Sequence, residues 1–228
     1  MKNLALMWVL AACLLGCDGK PPVSTFTDTR DGKTYKIVKI GSQTWFAENL
    51  NYAVEGSKCY GEGDTVVLGD GQYYTPKKTL SPDEVQTNCA KYGRLYTWEA
   101  ALKACPAGTH LPTNEEWATL VDYVGGDSTA GIKLKSSTGW RDKGNGTNDY
   151  GFSAIPGGRV DSDGRFDNVG YFDADDIGYW WNDMEDNDNP AGVIIMNYID
   201  IDNLNKEVIR SEGDNDETNL FSVRCVKD

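Results

Sequence analysis

The chain has few of the residues on which catalytic and metal sites usually depend. It contains one histidine, His110, among 228 residues. None of its six cysteines has the Cys-x-x-Cys spacing typical of zinc sites. Acidic residues number 35 against 22 basic ones, which gives a formal net charge of −13. Because nucleic-acid binding needs positive side chains that neutralise phosphates, this balance argues against nucleic acid as a partner.

The chain also lacks an apolar run of the length that spans a bilayer, about 20 residues. A shorter apolar run at residues 4–15 follows Lys2 and has the form of the central region of a secretory signal. We therefore predict an exported protein with a signal peptide at residues 1–16. No low-complexity segment or internal repeat follows, and about 200 residues suffice for one domain.

A cysteine motif ends the apolar run. Leu14-Leu15-Gly16-Cys17 resembles the bacterial lipobox, in which the cysteine is acylated after cleavage. This resemblance implies a lipid anchor at Cys17 and a tether at residues 17–24 that carries two prolines. Cys13 ends a second such tetrad but would leave an unusually short signal. Ordinary secretion without a lipid is the alternative.

Four cysteines remain once Cys13 and Cys17 are set aside: Cys59, Cys89, Cys105 and Cys225. An even number of cysteines in an exported chain predicts two disulfides. The residues alone allow three pairings.

Two capped amphipathic helices are predicted between residues 97 and 126. The first helix has Thr97 as its N-cap, and its apolar residues recur at helical spacing from Trp98 to Cys105. The second begins with a Thr113–Glu116 capping box and continues with Trp117 on its apolar face. We interpret both tryptophans as core residues.

Strand patterns lie on both sides of these helices. Before them, β-rich segments cover residues 34–40 and 44–46. Residues 53–92 are predicted to form a long loop that a disulfide holds in place. After them, strand candidates lie at residues 154–160, 179–181, 193–198 and 221–226. The order predicts an α+β fold with antiparallel strands, two helices and long loops.

Several segments resemble one bacterial family. They cover residues 34–36, 40–52, 92–98, 105–113, 178–181 and 221–226. These segments are similar to the Fibrobacter succinogenes major paralogous domain, over residues 25–228. The family consists of exported or lipid-anchored proteins without an established activity. The same segments are similar to a C-type lectin-like fold, which implies a bridge from Cys105 to Cys225 and leaves Cys59 to pair with Cys89.

The region after residue 172 supplies the candidate ligand site. Trp181-Asn182-Asp183 is the tripeptide that provides calcium ligands in the sugar-binding C-type lectins. Side chains of Trp180 and Trp181 must point to opposite faces of a strand, so we predict one outward ring as a stacking platform beside Asn182 and Asp183.

Acidic residues crowd the same region. They include Asp173, Asp175, Asp176, Asp183, Glu185, Asp186 and Asp188, with Asp200, Asp202, Asp214 and Asp216 further on. We interpret them as a solvated acidic surface, and a calcium site is the alternative.

Binding is favoured over catalysis. We interpret His110 as a structural polar residue in the turn between the helices, without a recognisable catalytic partner, and no serine lies in a Gly-x-Ser-x-Gly elbow. Formylglycine-generating enzymes share a related fold, but the paired C-terminal cysteines of their active site are missing, since Cys225 stands alone. We therefore expect a cell-envelope binding module for a glycan or a protein and no enzyme. A structural envelope lipoprotein without a small ligand is the alternative, and a formylglycine-generating-enzyme-like catalyst is the third hypothesis.

Overall fold

The structure is a computed structural model. It describes residues 22–63, 65–67, 77–141, 143–161, 170–172, 174–183, 192–197, 208–211 and 219–228. The predicted signal peptide, Cys17, Asp173 and all acidic residues between 184 and 218 lie outside these ranges. No helix within them has the length and apolar character needed to cross a membrane.

Six strands come first in the described chain, four helices and two strands follow, and seven strands come last. The strands are β1 (Val23–Thr27), β2 (Thr34–Ile40), β3 (Gln43–Phe46), β4 (Ser57–Cys59), β5 (Thr65–Val67), β6 (Lys77–Thr79), β7 (Arg94–Tyr96), β8 (Thr109–His110), β9 (Arg159–Asp161), β10 (Gly170–Phe172), β11 (Ile177–Asn182), β12 (Gly192–Asn197), β13 (Val208–Ser211), β14 (Phe221–Ser222) and β15 (Val226–Lys227). The helices are α1 (Pro82–Tyr92), α2 (Trp98–Ala104), α3 (Asn114–Tyr123) and α4 (Asp127–Leu134).

These strands form three sheets, which confirm the predicted α+β class. A five-stranded sheet has the order β1-β2-β3-β15-β8, and a six-stranded sheet has the order β13-β12-β11-β14-β7-β4. A smaller sheet has the order β6-β5-β10-β9. Pairing is antiparallel throughout, apart from single parallel contacts between β10 and β5 and between β11 and β14. Strand β1 begins at Val23, so the last two residues of the predicted tether belong to the first sheet.

The two predicted helices are confirmed as α2 and α3. The Thr97 side chain accepts a hydrogen bond from the backbone N–H of Ala100, and Thr113 and Glu116 form the predicted capping box. The expectation of only two helices is wrong, because α1 lies within the segment predicted to be a loop and α4 follows α3 directly. Helix α1 buries only Cys89 and Tyr92, so its apolar stripe is narrow and most of its residues are polar.

The described core holds three clusters of buried apolar side chains, and the two larger ones lie on opposite sides of β3 and β11. The first cluster holds Trp45, Trp117 and Trp180. The second holds Phe46, Tyr96, Trp98, Trp181 and Phe221. Adjacent residues of one strand therefore enter different clusters, as the alternation of a strand requires.

The prediction of an outward tryptophan ring is wrong for this reason. Trp180 and Trp181 do point to opposite faces of β11, but both are 0% exposed. The ring of Trp117 from α3 covers Trp180, with ring centroids 6.5 Å apart. The ring of Trp98 from α2 covers Trp181 at 5.6 Å. A strand packed on both faces leaves no aromatic platform for a ligand.

Both disulfides have the pairing that the resemblance implies. Cys59 is bonded to Cys89, which joins β4 to α1. Cys105 is bonded to Cys225, which joins the end of α2 to the chain just before β15. The second bond closes a much longer loop, with a sequence separation of 120 residues against 30.

Candidate functional site

The residues predicted to bind a ligand through the Trp-Asn-Asp tripeptide do not form a surface site. Asn182 is 2% exposed. Asp183 is half-buried, and its backbone N–H donates a hydrogen bond to the carbonyl oxygen of Pro112 at 2.9 Å. Within the described residues, no three His, Cys, Asp or Glu side chains converge to hold a metal ion. The acidic residues outside these ranges stay predicted as a solvated acidic surface, with a calcium site as the alternative hypothesis.

A cleft of about 260 Å³ lies elsewhere on the surface. Three separate parts of the chain build it: the end of α1, the loop after α4 and the turn that precedes β11. Its lining residues are Lys91, Gly139, Trp140, Arg141 and Asp175. Asp175 is one of the acidic residues that the sequence singled out, whereas sequence reasoning missed the other four.

Asp175 is the centre of the polar contacts in this cleft. Its Oδ1 accepts hydrogen bonds from the Lys91 ammonium at 2.8 Å and from the Tyr92 hydroxyl at 2.7 Å. The Lys91 ammonium also lies 2.7 Å from the Tyr92 hydroxyl oxygen. The side chains of Lys91 and Asp175 stay 46% and 40% exposed, so solvent and ligands reach both.

The backbone holds the Asp175 carboxylate in position. Asp175 has a φ of 71°, in the left-handed region that aspartate tolerates better than most residues. Its N–H donates to the carbonyl oxygen of Pro156 at 3.1 Å, and its own carbonyl oxygen accepts from the N–H of Arg141 at 2.8 Å. The carboxylate is therefore fixed before any ligand arrives.

Charged groups of both signs line the cleft. Arg141 forms an ion pair with the nearly buried Asp176 at 2.9 Å and keeps part of its guanidinium in solvent. Burial, and then the Asp175 carboxylate, raise the pKa of Tyr92 well above its usual range, so its hydroxyl stays protonated and donates. The described lining thus offers hydrogen-bond donors and acceptors and contains no histidine, cysteine or serine.

His110 lies apart from this cleft and has two acidic partners that the sequence did not reveal. Its Nδ1 is 2.7 Å from Asp228 Oδ1, and its Nε2 is 2.9 Å from Glu116 Oε1. Glu116 also accepts a hydrogen bond from the backbone N–H of Thr113 in the capping box. Both ring nitrogens must carry a proton to donate to two carboxylates. The arrangement therefore joins β8, α3 and the C-terminal residue through an imidazolium.

This contact makes stability depend on pH. Burial alone would lower the pKa of His110, but the hydrogen bonds to Asp228 and Glu116 outweigh it and raise the pKa above 6.5. A raised folded-state pKa adds stability that is complete below the unfolded-state pKa and is lost as pH rises through the folded-state value. We expect the free energy of unfolding of wild type to exceed that of His110→Gln by about 0.5 to 1 kcal/mol near pH 5.5. This difference should vanish at alkaline pH. Denaturant unfolding across this range checks it, and parallel pH curves for the two proteins would contradict it.

Comparison with known proteins gives one match. The family model of the Fibrobacter succinogenes major domain matches residues 38–227, which confirms the resemblance seen in the sequence. The matched range contains both disulfides and every residue of the cleft. No curated protein and no solved structure matches the chain. The C-type lectin-like fold therefore stays a prediction.

Proposed function

The chain belongs to the Fibrobacter succinogenes major domain family, and we propose that it acts as an exported, lipid-anchored binding module of the cell envelope. The ligand that we propose is a neutral glycan, bound in the cleft of Lys91, Arg141 and Asp175. The observation that carries this proposal is the half-exposed Asp175 carboxylate, which the backbone and two donors hold in a fixed position.

The chemistry of the cleft favours sugar hydroxyls. A hydroxyl group donates one hydrogen bond and accepts others, so it pairs with a cation and a carboxylate at the same time. The Lys91 ammonium and the Asp175 carboxylate, 2.8 Å apart, present that combination to solvent. An anionic ligand would be repelled by the Asp175 carboxylate and by the net charge of −13 of the protein. An apolar partner would find little surface, because Trp140 is only 5% exposed.

This proposal replaces the aromatic stacking platform as the basis for binding. It keeps the prediction that the protein binds its ligand without converting it. The alternative from the sequence, a structural envelope lipoprotein without a small ligand, is the interpretation that remains if no glycan is retained.

The anchor is proposed from the sequence of residues 1–17. Only five residues separate Cys17 from Val23, the first residue of β1, so a lipid at Cys17 would hold the domain within about 20 Å of the membrane surface. We expect mass spectrometry of the native N-terminus to find an acylated Cys17. A free N-terminus at another residue would rule out the anchor and leave ordinary secretion.

Substitution of the central carboxylate tests the binding site. Asp175→Asn keeps the size of the side chain and the tolerance for a positive φ, but it removes the charge that would accept from a sugar hydroxyl. We expect retention on isolated cell-wall polysaccharide, or on arrayed neutral oligosaccharides, to weaken about tenfold or more, since hydrogen bonds to charged groups contribute about 1.5 to 3 kcal/mol.

The matched control is Asp122→Asn, an exposed aspartate of α3 that does not line the cleft. This variant should bind and unfold like wild type, and Asp175→Asn should stay folded with a loss of no more than about 1 kcal/mol from its contacts with Lys91 and Tyr92. Unchanged retention of Asp175→Asn would show that the cleft is the wrong site. Absence of wild-type retention on every neutral glycan would show that the ligand class is wrong.

A further inference from the structure

The Cys59–Cys89 disulfide lies against a cationic side chain. Arg94 stands directly opposite Cys59 in the pairing of β7 with β4. Its guanidinium Nη1 is 3.1 Å from Cys59 Sγ and 3.5 Å from Cys89 Sγ. Among the hydrogen bonds and ion pairs of the described residues, none brings a cation to the sulfurs of Cys105 or Cys225. The two disulfides of this chain therefore differ in their electrostatic surroundings.

Neighbouring groups hold the guanidinium in this orientation. Its Nε donates to Ser57 Oγ at 3.0 Å. Its Nη2 forms an ion pair of 3.2 Å with Glu62, whose carboxylate also accepts from the backbone N–H of Cys59 at 2.7 Å. Glu62 is 46% exposed and Arg94 only 15%, so water screens the carboxylate more than the guanidinium. The nearest full charge to both sulfurs is therefore positive.

A cation in this place favours the reduced form of the bond. Reduction by a dithiol transfers two electrons, breaks the S–S bond and converts the reductant into its own disulfide. One cysteine receives a proton, and the other remains a thiolate beside Arg94 while its proton passes to solvent. Because a neighbouring cation lowers the pKa of a thiol, it stabilises this product and raises the reduction potential of the disulfide.

Loop length does not act on this equilibrium. The entropic gain from a disulfide comes from constraining the unfolded chain, so the sequence separations of 30 and 120 residues change what each bond contributes to folding stability. They do not change the reduction of either bond within the folded protein. Accessibility changes the rate of attack on each bond and not its equilibrium midpoint; Cys105 is partly exposed, whereas Cys59 and Cys89 are buried.

We propose that Cys59–Cys89 is a redox-responsive bond that a dithiol reduces before Cys105–Cys225, and that its state regulates the cleft. The regulatory part rests on the proposed function. Cys89 is one of only two buried residues of α1, and the other is Tyr92, whose hydroxyl donates to Asp175. Reduction thus breaks the covalent bond between β4 and α1, the helix that places Lys91 in the cleft and the Tyr92 hydroxyl against Asp175.

Equilibration of the full chain in dithiothreitol redox buffers tests the order of reduction. Free thiols are trapped by alkylation and assigned by peptide mass spectrometry. We expect Cys59–Cys89 to be half reduced at a ratio of reduced to oxidised dithiol about tenfold below that for Cys105–Cys225, because only the first bond has a guanidinium against its sulfurs. Equal midpoints, or earlier reduction of Cys105–Cys225, would overturn the proposal without need of any variant.

Two substitutions test the effect of charge on the Cys59–Cys89 bond. Arg94→Met removes the cation and should shift the Cys59–Cys89 midpoint about tenfold towards more reducing buffer, with no shift for Cys105–Cys225. Glu62→Gln removes the competing carboxylate and should shift the midpoint in the opposite direction. Unchanged midpoints in both variants would show that the Arg94 charge does not influence the reduction of Cys59–Cys89.

The effect on the cleft is measured without any glycan. Acylation of Lys91 by an amine-reactive ester should become several-fold faster after selective reduction, because its contacts with Asp175 and Tyr92 loosen, while acylation of Lys36 on β2 should not change. An unchanged rate at Lys91 would refute the regulatory part even if the order of reduction is as proposed. A faster rate in a protein that retains no glycan would instead refute the proposed function.

Discussion

Replacing either Trp180 or Trp181 by alanine is expected to lower the free energy of unfolding by about 3 to 5 kcal/mol. Each ring is fully buried, and each belongs to a different apolar cluster. Truncation removes the buried apolar surface and leaves a cavity between β11 and the helix that covers it. Each indole N–H also has a buried acceptor, Asn49 Oδ1 for Trp180 and the carbonyl oxygen of Tyr96 for Trp181.

Chemical denaturation followed by circular dichroism measures this loss. Tyr123→Ala provides the comparison, because Tyr123 is 57% exposed and its truncation should cost less than about 1 kcal/mol. A variant at position 180 or 181 that kept wild-type stability would contradict the two-sided packing of β11 and would reopen the hypothesis of an outward aromatic platform.

Asn49→Ala is expected to be comparably destabilising, by about 3 to 5 kcal/mol. Asn49 joins Trp180 of β11, Arg224 and the end of α1 through a buried set of hydrogen bonds. Its Oδ1 accepts from Trp180 Nε1 at 2.9 Å and from the fully buried Arg224 Nε at 2.8 Å. Its Nδ2 donates to the carbonyl oxygen of Tyr92 at 2.8 Å. Alanine would leave two donors, one of them charged, without this acceptor in the core.

Asn51→Ala is the matched control for that substitution. Asn51 is the same residue type two positions away, is only partly buried, and donates one side-chain hydrogen bond to the carbonyl oxygen of Cys89 at 2.9 Å. Its loss should cost about 1 kcal/mol in the same denaturation experiment. Equal effects of the two substitutions would show that the network around Arg224 does not determine the stability of the core.

The sequence predicted those elements whose signals are local. Helices α2 and α3 combine a capping threonine with an apolar stripe, and both signals lie within a few residues of each other. Helix α1 carries a capping box of Ser81 and Glu84 and a proline at its start, which could have identified it. Its apolar residues Val85, Cys89 and Tyr92 have helical spacing, but they stand among polar neighbours, and the Cys59–Cys89 disulfide fixes this sparse stripe to β4.

The two faces of β11 were misjudged for a different reason. Tyr179-Trp180-Trp181 is an uninterrupted apolar run, and such a run is typical of a strand that is covered on both faces. The cover comes from α2 and α3, which lie far away along the chain. The cleft could not be predicted either, because Lys91, Arg141 and Asp175 come together only through the tertiary fold and share no sequence motif.

Hydrogen–deuterium exchange of the full chain, with and without isolated cell-wall polysaccharide, tests the proposed binding site most directly. If the polysaccharide binds in the cleft, amide exchange should become slower at residues 89–93, 139–141 and 174–176. Amide exchange in α2 and α3 should not change. The same experiment on Asp175→Asn should lose that protection while the exchange of the free protein stays like wild type. Protection confined to other segments, or equal protection in wild type and Asp175→Asn, would contradict binding through this cleft.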